Sequence, residues 1–425
     1  MTSRKLAGLI FASAACLFAA GLPRAQAAVN RDKPAVEASV KKAVAAVNKS
    51  AGRKTHKKTA HKKTPARTMA AKAAAKSQRA PMPVVIVSKA ANDAPNFDYQ
   101  DRIQEAQELV ARQPVLNNDM QFDDRGNLIH FVWTLAVGQR TGPLTILRMD
   151  ETGKNDQGFE ISWPVDNFLN TKFHVARPDG LIVFAQRRPV RVKDSYQEAV
   201  YTAYSPELDT KTMREAGMDY LRHLQRLAYE RIKDHDVRSR VTPGITVADR
   251  IPTSMVVRLM ITEHVDPLHM KYVGIEQCVH EVLFTIAANR EHAYAYAKSS
   301  AGARGLPQFI DDSYQMVRAN YPNALLEPDF ERGMSDLRNA VLASVLLLDL
   351  ELTQLPRDAL ARIADSGQQF AAFLAAGYNR NPAHVVQTYV RTHSFTGGNA
   401  PFQNKMYVRI QSWIGGFLKK EYGVS

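Results

Sequence analysis

The spacing of hydrophobic positions changes along the chain and divides it into regions of different predicted structure. Between residues 93 and 113, Ile103, Ala106 and Val110 recur at three- and four-residue spacing, which predicts a helix. From 114 to 206 the apolar stretches are short and rich in β-branched and aromatic residues, and residues typical of turns separate them. The strands predicted there lie at 128–135, 144–149, 158–163, 181–184 and 199–204.

After residue 207 the spacing returns to that of helices. Met218 and Leu221 belong to an apolar stripe opposite charged residues, which predicts a connecting helix over 207–240. The run from 341 to 350 is too short for a bilayer and contains Asp349, so it predicts a buried core helix. Further helices are predicted around 252–262, 274–290, 335–352, 357–375 and 403–420.

The first 27 residues have the pattern of an export signal. Arg4 and Lys5 form a basic start, an apolar stretch continues to Leu22, and small residues suited to a cleavage site follow. A membrane anchor is the alternative interpretation of this stretch. An export signal indicates that the protein acts outside the cytoplasm, in the periplasm of a Gram-negative bacterium.

The positive charge of the chain is concentrated in the segment that follows. The whole chain carries a net charge of +14, and residues 28–92 hold 16 Lys or Arg against two acidic residues. Residues 93–425 hold 37 basic and 40 acidic residues, so no nucleic-acid partner is indicated. Because residues 28–92 contain few large apolar side chains, they predict a disordered linker, which either is simply solvated or contacts an anionic surface.

These patterns together predict an α+β protein in five segments. The segments are an export signal at 1–27, a disordered basic linker at 28–92, a β-rich accessory domain with a leading helix at 93–206, a helical connector at 207–244 and an all-α domain at 245–425. The β-rich segment contains no catalytic motif, so we expect it to position the protein or to bind an envelope protein partner.

The histidines give no sign of a metal site. His264, His269, His280 and His292 lie near acidic residues, but their spacings match no known ligand pattern. We therefore expect neither a metal nor another cofactor.

The most informative motif lies between residues 299 and 309. Gly302 and Gly305 stand three positions apart among small residues, which permits a tight turn and a close approach of a ligand to the backbone. Gln308 adds an amide that can both donate to and accept from sugar hydroxyl or acetamido groups. The plainer interpretation is an ordinary turn between two helices.

The order Ser-x-x-Gly-Ala-x-Gly-Leu-x-Gln resembles the substrate-cleft loop of the soluble lytic transglycosylase family, a branch of the lysozyme-like fold. Gly377-Tyr378-Asn379, after an alanine-rich stretch, and Tyr407-Val408 resemble two further motifs of that family. The resemblance covers residues 245–425 and implies a lysozyme-like helical domain. The substrate-binding residues that it implies are Ser299, Gly302, Ala303, Gly305, Leu306, Gln308, Tyr378, Asn379 and Tyr407.

The resemblance also implies an activity, the cleavage of peptidoglycan glycan strands. In such enzymes a single glutamate protonates the β-1,4 glycosidic oxygen between N-acetylmuramic acid and N-acetylglucosamine. As a carboxylate it then accepts the proton of the muramic acid 6-hydroxyl, which closes a 1,6-anhydro ring. Donation near neutral pH requires a glutamate whose pKa is raised, and burial provides this.

Two glutamates are candidates for that role. Glu263 ends a strongly apolar run and is followed by His264-Val265-Asp266-Pro267, which resembles the turn after the family's catalytic glutamate. Choosing Glu263 requires an inserted helix, at about 268–297, before the loop. The alternative, Glu291, lies at nearly the family's spacing from Gly302, but Arg290 and His292 beside it suggest a solvated position.

Departures from the family pattern keep two other functions open. His292, Pro307 and Gln403-Asn404 differ from the residues that the family usually has. A catalytically silent peptidoglycan-binding or envelope-assembly protein would tolerate these differences. A hydrolytic muramidase would need a second carboxylate to activate water, for which Asp311 or Asp312 is a candidate.

Overall fold

The computed structural model describes residues 98–424, except 165, 365–366, 380–381 and 396–399. The export signal predicted at 1–27 and the linker predicted at 28–92 lie outside the described residues. All described residues belong to one compact unit. The domain boundaries predicted at 206 and 244 stay predictions.

The N-terminal part of this unit consists of one helix followed by antiparallel strands. Five strands form the main sheet, in the order β1-β2-β6-β7 with β3 paired to β2, and β4 and β5 form a separate pair. The elements are α1 (Gln100–Ala111), β1 (Met120–Phe122), β2 (Leu128–Gly138), β3 (Leu144–Asp150), β4 (Glu160–Ser162), β5 (His174–Arg177), β6 (Ile182–Val192) and β7 (Ser195–Tyr201).

The central strand β2 is buried on both faces over its second half, which explains why the apolar residues Leu135, Ala136 and Val137 follow one another there. Ala136 packs with Ile103 of α1, while Trp133 belongs to an aromatic cluster on a different part of the sheet. In that cluster the Trp133 ring lies 5.1 Å from the ring of Trp163 and 5.5 Å from that of Phe173, measured between centroids. The sheet is thus held between a helix and an aromatic core.

The remainder of the unit is helical, as predicted for the C-terminal region. Its helices are α2 (Lys211–Asp234), α3 (Val247–Arg250), α4 (Thr253–Thr262), α5 (Pro267–Asn289), α6 (Asp311–Asn320), α7 (Phe330–Ser335), α8 (Leu337–Leu352), α9 (Arg357–Ala364), α10 (Gly367–Asn379), α11 (Pro382–Thr392) and α12 (Phe402–Tyr422). A mixed helix and sheet protein with its sheet N-terminal to the helices is therefore confirmed.

Helix α8 is the centre of the helical core. Nearly every residue of α8 is buried, which confirms the buried helix predicted from its apolar run. Asp349 is satisfied inside this core, because it accepts hydrogen bonds from the Ser239 hydroxyl at 2.7 Å, the Arg240 amide at 2.9 Å and the Tyr321 hydroxyl at 2.8 Å. These three donors satisfy the buried carboxyl group, and Arg250 is close enough to interact with it electrostatically.

The helix α5 connects the helical core to the sheet. It occupies the place of the inserted helix that an active Glu263 requires, and it is interrupted at Gly274, where φ is 84°. Its C-terminal residue, Asn289, bonds both backbone groups of Thr202 just after β7, accepting from the amide at 2.8 Å and donating to the carbonyl at 2.9 Å. Helix α2 lies directly against α5, and a Cβ on Gly217 would stand 2.0 Å from the Leu283 carbonyl oxygen.

Candidate active site

Glu263 lies at the C-terminal end of helix α4 and is buried in the helical core. The apolar residues of α4 pack into that core on nearly all sides, so the chain carries the glutamate inside with them. The residue is 2% exposed, and its Oε2 has no hydrogen-bond partner among the described residues. Burial raises the pKa of Glu263 from 4.5 to about 8, so this carboxyl is mostly protonated at neutral pH.

Tyr407 of helix α12 is the polar partner of this carboxyl. Its hydroxyl donates a hydrogen bond to Oε1 of Glu263, and both side chains are buried. Burial, together with the nearby carboxyl of Glu263, raises the pKa of Tyr407 well above its usual value. Tyr407 therefore remains a hydrogen-bond donor, and its bond lowers the pKa of Glu263 against the larger effect of burial.

Two further contacts hold the 299–308 loop next to Glu263 and Tyr407. The Tyr378 hydroxyl donates to the backbone oxygen of Pro307 at 2.5 Å, and Nε2 of His264 bonds the backbone oxygen of Leu306 at 2.8 Å. Because burial lowers the pKa of His264 to about 4, its imidazole is neutral and Nε2 carries the proton that it donates. His264 and Tyr378 thus both hold the loop in place through its backbone.

The loop itself is held by its own backbone. The amide of Ser299 donates to the Ala303 carbonyl at 2.8 Å, and the Ala303 amide donates to the Ser299 hydroxyl at 3.0 Å. Gly302 and Gly305 have φ values of 86° and 71°, in the left-handed region that favours glycine. A Cβ on Gly305 would lie 2.5 Å from the Met334 carbonyl oxygen, so this glycine also permits close packing on α7.

Three of the loop residues proposed as substrate contacts are used inside the protein. Ala303 and Leu306 are buried core residues, at 2% and 0% exposure. The Gln308 amide nitrogen donates to the Gly305 carbonyl at 2.8 Å, so one end of this side chain is already engaged. The side chains of Ala303 and Leu306 are therefore closed to a ligand in this structure.

Asn379 and Asn404 form a buried pair on the far side of the site. Asn379 is the last residue of α10, and its Nδ2 donates to Oδ1 of Asn404 in α12 at 3.0 Å. In the sequence, Asn404 is only one of the residues that differ from the family pattern. In the fold it completes the contact that holds the end of α10 against the helix that carries Tyr407.

Glu351 is a second buried carboxyl that sequence reasoning missed. It lies near the end of α8, it is 3% exposed, and burial raises its pKa well above 4.5. Its charge would act on both Tyr378 and Tyr407, so it is close to the candidate site. The only sequence signal for it is an acidic residue inside an otherwise apolar run.

The structure does not place the other acidic candidates in this cluster. Glu291 is exposed in a 3₁₀ turn (Arg290–His292) that follows α5. The pKa of Tyr220 in α2 is raised mainly by the burial of that tyrosine and next by the charge of Glu291. Asp311 and Asp312 are exposed at the start of α6, where Asp311 accepts from the Gln315 amide at 2.9 Å. Of the two candidate glutamates, Glu263 is the one that is buried beside the 299–308 loop.

Comparisons with known proteins give no information about the family of this chain. No family model matches the sequence, and no curated protein or solved structure shows significant similarity to it. Among the described residues there is no cluster of three or more His, Cys, Asp or Glu that could hold a metal ion. Over the same residues, no helix is long and apolar enough to cross a membrane.

Proposed function

We propose that the protein is a peptidoglycan lytic transglycosylase and that Glu263 is its acid and base. The observation that carries this proposal is the environment of Glu263. Its carboxyl is buried, its pKa is raised to about 8, it is bonded to Tyr407, and the glycine-containing loop lies beside it. A carboxyl that holds its proton at neutral pH is the group that protonates a glycosidic oxygen.

The reaction follows from these groups. Protonated Glu263 gives its proton to the oxygen that links N-acetylmuramic acid to N-acetylglucosamine, and the bond from that oxygen to C1 of the muramic acid breaks. The resulting carboxylate, stabilised by the Tyr407 hydroxyl, accepts the proton of the same sugar's 6-hydroxyl, and O6 bonds to C1. The glutamate is thereby returned to its protonated form, and one strand end becomes a 1,6-anhydro sugar without the addition of water.

The proposal extends to the fold and the location. The end of α4, the loop at 299–308 and the tyrosines of α10 and α12 are the parts that a lysozyme-like domain would use to line a glycan cleft. The export signal predicted at 1–27 is consistent with this, because peptidoglycan lies outside the cytoplasmic membrane. The β-rich part would then position the enzyme at the wall or bind an envelope protein.

A second candidate function is a silent peptidoglycan-binding or envelope-assembly protein. The observation that favours it is the closed state of the site, since Glu263 is 2% exposed and Tyr378 is 1% exposed. Binding would need no movement at this glutamate, whereas cleavage requires the site to admit a sugar.

Digestion of purified peptidoglycan with the full chain separates these functions, with mass spectrometry of the products. We expect anhydro-muropeptides from the unmodified chain and from Glu263→Gln about a thousandfold less or none. Glu291→Gln is the matched control, because it removes an exposed carboxylate, and it should retain full activity. Products with ordinary reducing ends would indicate a hydrolytic muramidase instead. Sedimentation of an intact, inactive chain with peptidoglycan would favour the silent binding protein.

A further inference from the structure

A cavity of about 640 Å³ lies between the sheet and the loop of the candidate active site. One wall comes from β6, β7 and the segment at 167–170, and the opposite wall comes from residues 294–298, Arg304 and the start of α7. This volume is in the range of sites for small ligands and short peptides, and it is too small for a glycan strand. Nothing in the reaction described above uses this cavity.

The lining of the cavity has a strong bias in charge. Five cationic side chains line it against one carboxylate, Glu331. They are Arg191, Lys193, Lys298, Arg304 and Arg332.

Not all of these cations are available to a ligand. Three of them are paired, because Lys193 contacts Asp329 at 2.7 Å, Arg332 contacts Glu327 at 3.0 Å, and Arg304 contacts Glu331. Arg191 and Lys298 are exposed at the cavity, and neither takes part in an ion pair among the described residues. The free charge of this cavity is therefore positive, which suits a ligand with carboxylates.

Aromatic rings provide the apolar part of the lining. Phe168, Tyr201, Tyr294 and Tyr296 all border the cavity, and Phe168 is 41% exposed. Rings of this kind pack against aliphatic side chains and backbone, so they add affinity for a peptide that carboxylates alone would not give. The lining thus fits a short acidic peptide better than an inorganic anion.

The cavity is connected to the candidate active site through two residues. The ring of Tyr294 stacks on His264, the residue after Glu263, with 3.6 Å between ring centroids. Arg304 stands between Gly302 and Gly305 in the loop whose next residues contact His264 and Tyr378. Tyr294 and Arg304 therefore both border the cavity and lie next to the residues that hold the loop beside Glu263.

We propose that the cavity binds the carboxylate-bearing stem peptide attached to the muramic acid of the glycan strand. This inference rests on the proposed function, since it takes the substrate to be peptidoglycan. Arg191 and Lys298 would contact the peptide carboxylates, and the aromatic rings would contact its apolar portions. The peptide would thereby select strands that still carry their stems and align them on Glu263.

The test compares two substrates and two variants of the full chain. The substrates are glycan strands with intact stem peptides and the same strands from which an amidase has removed the peptides. The double variant Arg191→Gln/Lys298→Gln removes the unpaired charges. Arg125→Gln, an exposed cation in the turn between β1 and β2, is the matched control.

We expect the unmodified chain and the control to cleave peptide-bearing strands about tenfold faster at limiting substrate than stripped strands. The double variant should lose this preference and cleave both substrates at the rate for stripped strands. An unchanged preference in the double variant would overturn the proposal. An equal loss of the cleavage rate on both substrates would also overturn it.

Binding of the stem peptide alone, measured by fluorescence anisotropy with a labelled peptide, tests the cavity without catalysis. The peptide should bind the unmodified chain about tenfold more tightly than the double variant. If the chain cleaves nothing but binds the peptide through these two residues, the cavity proposal stands and the proposed reaction fails. If the peptide does not bind, or binds both chains equally, the cavity proposal fails whatever the chain cleaves.

Discussion

The Tyr407 hydroxyl donates a hydrogen bond to the carboxyl of Glu263, although the two residues are 144 positions apart in the sequence. Helix α12 brings the tyrosine across the core to the end of α4, where it bonds the glutamate, and no cation among the described residues forms an ion pair with this carboxyl. The pKa of Glu263 is the balance of two opposed effects, because burial raises it and the Tyr407 bond lowers it. The effect of the hydrogen bond can be removed by substituting Tyr407 alone.

Tyr407→Phe should slow strand cleavage and shift its dependence on pH. Losing a hydrogen bond to the developing carboxylate costs roughly 1.5–3 kcal/mol, or about ten- to a hundredfold in rate. Because the bond lowers the pKa of Glu263, its loss raises that pKa above about 8, and activity should persist to higher pH. A rate profile between pH 5 and 10 measures both changes. Tyr229→Phe removes a buried hydroxyl that bonds the Ile251 carbonyl elsewhere in the core, and it should leave the profile in place.

The contribution of Glu263 to the stability of the protein should fall as the pH rises from about 5 to 8. In the folded chain Glu263 keeps its proton up to about pH 8, whereas in the unfolded chain it ionises near 4.5, so the folded state holds an extra proton between these values. Glu263→Gln cannot ionise and should lose less stability over this range, by a few kcal/mol at about 1.4 kcal/mol per pKa unit. Urea unfolding at several pH values measures this difference. Parallel curves for Glu263→Gln and the unmodified chain would contradict it, and Glu291→Gln should follow the unmodified chain.

Gly305→Ala should destabilise the fold more than Gly302→Ala does. Both glycines have positive φ, which costs an alanine about 1 kcal/mol or somewhat more. At Gly305 the new Cβ would also meet the Met334 carbonyl oxygen at 2.5 Å, while at Gly302 there is open space. We expect a loss of about 3 kcal/mol or more in the free energy of unfolding for Gly305→Ala and about 1 kcal/mol for Gly302→Ala. Equal losses in chemical denaturation would mean that the approach to α7 does not matter.

Asn289→Ala should weaken the attachment of the sheet to the helical core. The substitution leaves the amide and the carbonyl of Thr202 without their partner, and it also removes a 3.0 Å bond to the Thr285 carbonyl. The expected loss is about 2–4 kcal/mol in the free energy of unfolding, because unpaired buried backbone groups are costly. Asn118→Ala, in the exposed turn before β1, should change it by less than about 0.5 kcal/mol. Thermal or chemical unfolding of the two variants and of the unmodified chain measures these losses.

Elements with a strong apolar pattern were predictable from the sequence, and weakly patterned ones were not. The runs that became β2, α4 and α8 contain so many apolar residues that they predict buried elements. Strand β5 has a single buried residue, Val175, so alternation cannot be seen in it. Helix α6 has only three buried residues, and α11 was likewise not predicted.

The candidate site was predictable only where its chemistry depends on local sequence. The apolar run before Glu263 indicates burial, and burial is the main cause of its raised pKa. The contacts of Tyr407, Tyr378 and Asn404 depend on how α10 and α12 pack on distant helices, which no local pattern encodes. Glu351 was missed for the same reason, since an acidic residue near a helix end usually faces solvent.

The burial of Glu263 has a consequence for how the protein exchanges protons with its surroundings. Glu263 has its high pKa only while its carboxyl is buried away from water. Any movement that lets water reach the carboxyl therefore returns this pKa toward 4.5. At neutral pH such an opening releases one proton to the solvent, and closing takes one up. A change of conditions that shifts the population toward the open form would therefore acidify a weakly buffered solution, which a pH indicator would record.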